Sequence, residues 1–243
     1  MKKLAWLLYQ PYKWLIFVPI LGLGAAFFGV TAMVLSALFS PKLGNMIGGV
    51  GWARVCAFFA PMFVDVHGLD NIDRNKSYVV VANHQSHFDV FVLYGWAWMD
   101  MKWVMKKELR KTPFIGFASH MVGHIVVDRS DSEAAIESLN DAKKKIVNGT
   151  SVMFFAEGTR SRNGEIGRFK KGAFIMALDL NLPILPMTIK GTRKILPSNT
   201  LNLFPGKAEL IVHPAIEIDQ YNESNVSELI SKTRNIIVDS FYS

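Results

Sequence analysis

Between Trp14 and Pro41 the chain runs for 28 residues without one ionisable side chain. As a continuous helix this run would reach about 42 Å, against a hydrocarbon core of about 30 Å, so it is long enough to cross a bilayer with tilt. Pro19, Gly22 and Gly24 leave a kinked, in-plane arrangement open as well. Lys2, Lys3 and Lys13 precede the run while Lys42 and Arg54 follow it, so positive-inside bias does not orient a single crossing. Basic flanks at both ends fit two helices that enter and leave on one face. Gly44, Gly48, Gly49 and Gly51 would then form the bend, and Trp52 to Val64 the second limb. A cleavable signal peptide fits less well, because its apolar core would be shorter and no small-x-small site follows.

Lys and Arg number 27 against 20 Asp and Glu, a net charge of +7 in 243 residues, and charged residues are only 19% of the chain. A positive balance suits anionic lipid, nucleic acid or a phosphorylated substrate. No basic helix or aromatic stacking motif supports the nucleic-acid reading. The single cysteine, Cys56, cannot form an intrachain disulfide, which points to a reducing compartment. There is no internal repeat and no low-complexity linker. The expected organisation is a membrane-anchoring helical segment over 1–62 and an α/β domain over 63–243, with a single mixed sheet flanked by helices.

Within that domain Val64 to Gly68 predicts a short edge strand, Ser77 to Ala82 a buried strand, and the apolar residues that follow Asp89 a helix to about Trp98. Met101 to Met121 interleaves Lys102, Lys106, Lys107, Arg110 and Lys111 with Trp103, Leu109, Phe114, Ile115 and Phe117. That stretch reads equally as an interfacial surface at an acyl entrance and as an ordinary amphipathic helix with solvated lysines. Gly123 to Arg129 reads as a strand ending in a charged pair, and Ser130 with Glu133 as the capping box of the next helix. Val152 to Ala156, Ile184 to Lys190 and Ala208 to His213 read as strands, and Ala173 to Leu180 as a helix. Asn225 and Glu228 are expected to cap a last amphipathic helix.

Chemistry concentrates at the ends of these strands. The Ser77 to Ala82 strand runs into Asn83-His84-Gln85-Ser86-His87-Phe88-Asp89 before the next helix begins. On one regular helix residues five apart lie about 140° apart, so His84 and Asp89 meet only if His84 sits in a loop and Asp89 on the first helical turn. An imidazole can take a proton from an alcohol, and a carboxylate on its other nitrogen fixes the tautomer. Taken by itself a histidine at a strand end is more often structural than catalytic. His84, His87 and Asp89 lack a known metal-ligand spacing. Ser86 has no G-x-S-x-G setting, so the activated hydroxyl is expected to be the substrate's own. Glu157-Gly158-Thr159-Arg160 follows the Val152 to Ala156 strand and Asp128-Arg129 follows another, which places two arginines suited to phosphate at strand ends.

These blocks resemble the 1-acyl-glycerol-3-phosphate acyltransferases of the PlsC type, within the glycerophospholipid acyltransferase superfamily. The resemblance rests on His84-x-x-x-x-Asp89, Gly123-x-x-x-x-Asp128-Arg129, Phe155-Ala156-Glu157-Gly158-Thr159-Arg160-Ser161 and Leu182-Pro183-Ile184-Leu185-Pro186, in that order, and covers about residues 60 to 215. It implies direct acyl transfer without an acyl-enzyme, metal or resident cofactor. His84 would deprotonate the sn-2 hydroxyl of lysophosphatidic acid, and Asp89 would hold His84. Acyl-CoA or acyl-carrier protein would be the co-substrate. Arg129 and Arg160 would anchor the phosphate, Glu157, Gly158 and Thr159 would belong to the substrate pocket, and Lys106 would be a further contact. Phe114, Ile115 and Phe117 would contribute to an acyl tunnel. The resemblance also implies membrane lipids as partners and a place on the cytoplasmic face of a bacterial inner membrane. Two alternatives stand beside it: an acyltransferase for another lysolipid or for glycerol 3-phosphate, and an inactive membrane-bound lipid-binding protein.

Overall fold

The strand that feeds the His84 segment lies near the middle of a sheet and is buried on both faces. In the computed structural model, which describes residues 2–128, 140, 146 and 148–243, that strand is β2, Val79–Ala82. The others are β1 (Met62–His67), β3 (Asp100–Lys106), β4 (Ile125–Val127), β5 (Thr150–Phe155), β6 (Ile184–Lys190) and β7 (Gly206–Val212), and the order across the sheet is β1-β7-β6-β2-β5-β3-β4. From β6 to β4 the strands are parallel, while β7 runs antiparallel to β6 and carries β1 at the edge. The sheet is therefore mixed, as expected. Side chains alternate along β2, so Val80 and Ala82 join the core on one face and Val79 and Val81 the core on the other.

Helices cover both faces. On one lie α4 (Val50–Phe59) and α5 (Phe88–Trp96); on the other lie α7 (Gly172–Leu180) and α9 (Val226–Tyr242). Asn225 precedes α9 but does not cap it with its side chain. Its Oδ1 instead accepts the N–H of Asn222 at 2.7 Å, so the preceding loop takes the oxygen that would cap the helix. Arg129 and the helix expected from Ser130 lie outside the described residues.

The apolar front forms a helical hairpin. Its first limb joins α1 (Lys2–Tyr12) through a π-helical segment, Lys13–Phe17, to α2 (Val18–Leu38). The π segment stands just before Pro19, which has no N–H and crowds the preceding turn. Tyr9–Leu38 is long and apolar enough to cross a bilayer, and little of it is buried. The turn falls at Phe39 and Ser40, where the Ser40 hydroxyl caps α3 (Pro41–Gly44) by accepting the Leu43 N–H. The glycines expected at the bend instead lie on the returning limb as contact points. A Cβ on Gly48 would stand 2.6 Å from the Ala32 Cβ, and one on Gly44 would strike the Ala32 carbonyl. They let two backbones approach closely.

A buried polar cluster ties this hairpin to the sheet. Asn45 donates to Asp100 Oδ1 at 2.7 Å and to the Met101 carbonyl, Lys102 reaches the same Asp100 oxygen at 2.9 Å, and Thr150 donates to Asp100 Oδ2. Tyr94 donates to Asn45 Oδ1 and meets His124 Nε2, while His124 Nδ1 accepts the Trp103 N–H. Two features correct the reading of Met101 to Met121. The first part is β3, a strand inside the sheet, followed by a 3₁₀ turn at Lys107–Lys111 and α6 (Ile115–Met121). Lys102 is not solvated but buried against Asp100, which a hydropathy pattern cannot distinguish from an exposed lysine.

Candidate active site

Because β6, β2, β5, β3 and β4 are parallel, their carboxyl ends share one edge of the sheet, and the predicted residues lie along it. β2 ends at Ala82, and Asn83 extends its pairing with a side chain. Asn83 Nδ2 donates to the Ile189 carbonyl and its Oδ1 accepts the Ile189 N–H, both at 2.8 Å. The next residue, His84, is thus held in a loop, and Asp89 sits on the first turn of α5.

His84 Nδ1 lies 2.8 Å from Asp89 Oδ2, which also accepts the N–H groups of Gln85 at 2.6 Å and Ser86 at 2.9 Å. Asp89 is fully buried. An oxygen receiving two backbone donors acts as a carboxylate acceptor, so Nδ1 carries the imidazole proton and Nε2 its lone pair. Among the described residues Nε2 has no hydrogen-bond partner, and the His84 side chain keeps 15% of its surface accessible. The ring stacks on Phe155 with centroids 3.7 Å apart and planes 8° from parallel, so its tilt is fixed as well. The arrangement can accept a proton at Nε2 and stabilise the resulting cation from the carboxylate side.

Glu157 is placed differently from the expectation of a pocket wall. Its side chain turns inward, where Oε1 accepts the His84 N–H at 2.8 Å and Oε2 the Gly167 N–H at 2.9 Å. Burial raises its carboxyl above the ordinary value, and the two backbone donors oppose that rise. The Ser161 N–H in turn binds the His84 carbonyl at 2.8 Å, so the Glu157 loop holds His84 by both backbone groups. Gly158 has φ +75°, and a Cβ there would lie 2.9 Å from Lys170 Cε. Thr159 is exposed and Arg160 half-buried. Arg160 lies near His87: burial first, then the Arg160 guanidinium, holds the His87 imidazole below its ordinary value.

Lys106 ends β3, two strands from β2 and roughly 10 Å away at the usual strand spacing; it is exposed, with Glu108 at 3.9 Å. The structure brings His84, Asp89, Glu157 and Arg160 together and leaves Lys106 at the rim. Arg129 lies outside the described residues.

An apolar cavity of about 190 Å³ opens between the hairpin and the sheet, lined by Phe28, Gly48 and Trp52 from the hairpin and by Val90, Trp103, Met105 and Ile115 from the body. The Trp103 ring lies 5.8 Å from Phe155, the ring that stacks on His84, so cavity and pair are neighbours. Of the expected tunnel residues Ile115 lines it, while Phe114 and Phe117 are exposed at the surface.

Thr192 was missed by the sequence reading. It is fully buried after β6, and its hydroxyl donates to Asp89 Oδ1 at 2.5 Å. The available signal was Gly191 at a strand end, the same punctuation that marks Gly158.

A family model described as Acyltransferase matches residues 63–190. A chloroplast 1-acyl-sn-glycerol-3-phosphate acyltransferase of Brassica napus is 33% identical over 192 residues, which are 78% of this chain and 54% of that protein. The chloroplast enzyme of Arabidopsis thaliana is 30% identical over 92% of this chain and 63% of its own. The match therefore spans between a half and two thirds of the length of these plant relatives. A 1-acyl-sn-glycerol-3-phosphate acyltransferase of Helicobacter pylori is 30% identical over 76% of this chain and 77% of its own. Among solved structures, the 1-acyl-sn-glycerophosphate acyltransferase PlsC of Thermotoga maritima matches with a TM-score of 0.82 at 25% identity, covering 99% of this chain and 96% of that one.

Proposed function

Because this chain belongs to the acyltransferase family, we propose that it transfers an acyl group from a thioester to the sn-2 hydroxyl of 1-acyl-glycerol 3-phosphate, giving phosphatidic acid. The observation that carries the reading is the His84–Asp89 pair, with Nδ1 committed to the carboxylate and Nε2 left for substrate. His84 Nε2 takes the hydroxyl proton as the oxygen attacks the thioester carbonyl carbon. A C–O bond forms, the C–S bond breaks, and the departing thiolate takes the proton back from the imidazolium. The donor is acyl-CoA or acyl-carrier protein, both of which present the same thioester. Arg160 binds the phosphate of the acceptor, together with Arg129 on the sequence expectation. Gly158 and Thr159 border that phosphate, Glu157 acts behind His84, and Lys106 meets the substrate at the rim. The apolar cavity takes acyl chain.

The hairpin supports a re-entrant anchor in a single leaflet. Lys13 donates to the Leu201 carbonyl at 3.0 Å and Tyr12 to the Phe59 carbonyl at 2.9 Å, so its entry and exit lie together against the body. In a bacterial cell the domain and the N-terminus would then share the cytoplasmic face of the inner membrane. Protease added outside sealed vesicles should cut residues 1–10 only where it also reaches the domain; opposite accessibility would contradict the anchor.

Acyl transfer from an acyl thioester to lysophosphatidate tests the reaction. His84→Ala should lose about a thousandfold or more in turnover, and undiminished turnover would reject the mechanism. Arg160→Ala should harm phosphate-bearing acceptors most; an equal loss on a phosphate-free lysolipid would reject its phosphate role.

A further inference from the structure

The short segment after β6 touches both halves of the site. Gly191, with φ +83°, turns the chain from β6 into α8 (Thr192–Ile195). Thr192 donates to Asp89 Oδ1, and the Leu196 carbonyl accepts the Ser86 hydroxyl at 2.7 Å, so two bonds reach the His84–Asp89 loop. Arg193 donates to the carbonyls of Ser161 at 3.2 Å and Arg162 at 2.7 Å, and Ser198 donates to the Ser161 carbonyl at 2.6 Å. Those bonds reach the loop that carries Glu157 and Arg160.

We propose that Thr192 is a positioning residue of the reaction, fixing the plane of the Asp89 carboxylate so that Oδ2 faces His84 Nδ1. This rests on the reading of His84 as the base. A carboxylate has a broad, weakly restrained torsion about its last bond. Oδ2 is held by His84 Nδ1 and by the N–H groups of Gln85 and Ser86, and among the described residues Oδ1 accepts from Thr192 alone. A hydroxyl-to-carboxylate bond of this length is of the strong, charge-assisted kind, and a bond to the second oxygen stops the group from pivoting. Phe155 fixes the tilt of the imidazole and Thr192 fixes the carboxylate it leans on, so together they aim the Nε2 lone pair. The competing account is a buried threonine that merely satisfies its hydroxyl on a convenient acceptor.

The two accounts separate on kinetics. Full-length wild type, Thr192→Val, Thr192→Ser and His84→Ala are assayed with lysophosphatidate and an acyl thioester. Thr192→Val keeps the shape and removes the donor. It should lower kcat by about tenfold to a hundredfold while leaving KM within about twofold. Thr192→Ser restores the hydroxyl and should bring kcat back to within about threefold of wild type. The resonance of the His84 Nδ1–H proton, followed by NMR, should move in Thr192→Val and hold its place in Thr192→Ser. Unchanged kcat in Thr192→Val, or equal losses in the two variants, would overturn the proposal while a dead His84→Ala kept the base reading intact. An active His84→Ala would overturn both. If Thr192→Val does not fold, Thr192→Ala takes its place in the same comparison with Ser.

Discussion

Two histidines of this protein sit in hydrogen-bonded clusters beside a carboxylate or its network, and they end in opposite conditions. His124 has both ring nitrogens engaged, Nδ1 by the Trp103 N–H and Nε2 by the Tyr94 hydroxyl. Burial, with Lys102 beside it, pushes it down to about 3, so the ring is neutral at ordinary pH. His84 has one nitrogen engaged by Asp89 and the other available at an accessible edge. The first cluster uses both nitrogens of its histidine and joins the hairpin to the sheet. The second leaves Nε2 of its histidine without a partner among the described residues. What separates the structural His124 from the proposed base His84 is how many of its nitrogens the fold has already used.

The same substitution made in each cluster tests that contrast most strongly. Asp89→Asn should lower kcat by about a thousandfold to ten-thousandfold, since an amide facing the Gln85 and Ser86 N–H groups cannot hold the imidazole in one tautomer. Asp100→Asn should leave kcat within about threefold. It should cost about 3 kcal/mol in urea unfolding by taking the carboxylate from a buried lysine. If Asp100→Asn behaves like Asp89→Asn in turnover, the contrast between the clusters fails.

Glu157→Gln probes the bridge between the two loops. One amide cannot accept from both the His84 and the Gly167 N–H, so one buried donor loses its partner at about 1–3 kcal/mol. Turnover should fall by about tenfold as His84 loosens. Stability lost with turnover intact would make Glu157 a purely structural strut.

The remaining test leaves turnover aside and reads a pH slope in stability. His124 in the fold titrates far below the ordinary histidine value of 6.5, so the unfolded chain binds the extra proton first. The stability this gives is full above 6.5 and is lost as pH falls towards about 3. Urea midpoints measured across that range should fall for wild type and fall less steeply for His124→Gln. Parallel slopes would show that His124 does not set this pH dependence.

Much of this was legible in the chain. The run Ser77 to Ala82 reads as a buried strand, and the five-residue gap lets His84 and Asp89 meet only through the loop-then-helix break that the structure has. Gly158 at a strand end also announced itself. The reading failed where a residue's role depends on a distant partner. Lys102 looks like any lysine in a mixed stretch until Asp100 and the sheet bury it. Gly44 and Gly48 look like a bend until Ala32 stands against them. Thr192 is an unremarked threonine 103 residues from Asp89, and only the parallel sheet brings them together.

In the proposed reaction His84 and Asp89 act as one unit. A double-mutant cycle on kcat for lysophosphatidate acylation, with His84→Ala, Asp89→Asn and the pair combined, measures this directly. The double variant should be no slower than His84→Ala alone, because Asp89 works only through the imidazole. Losses that multiply would show two independent contributions and contradict it.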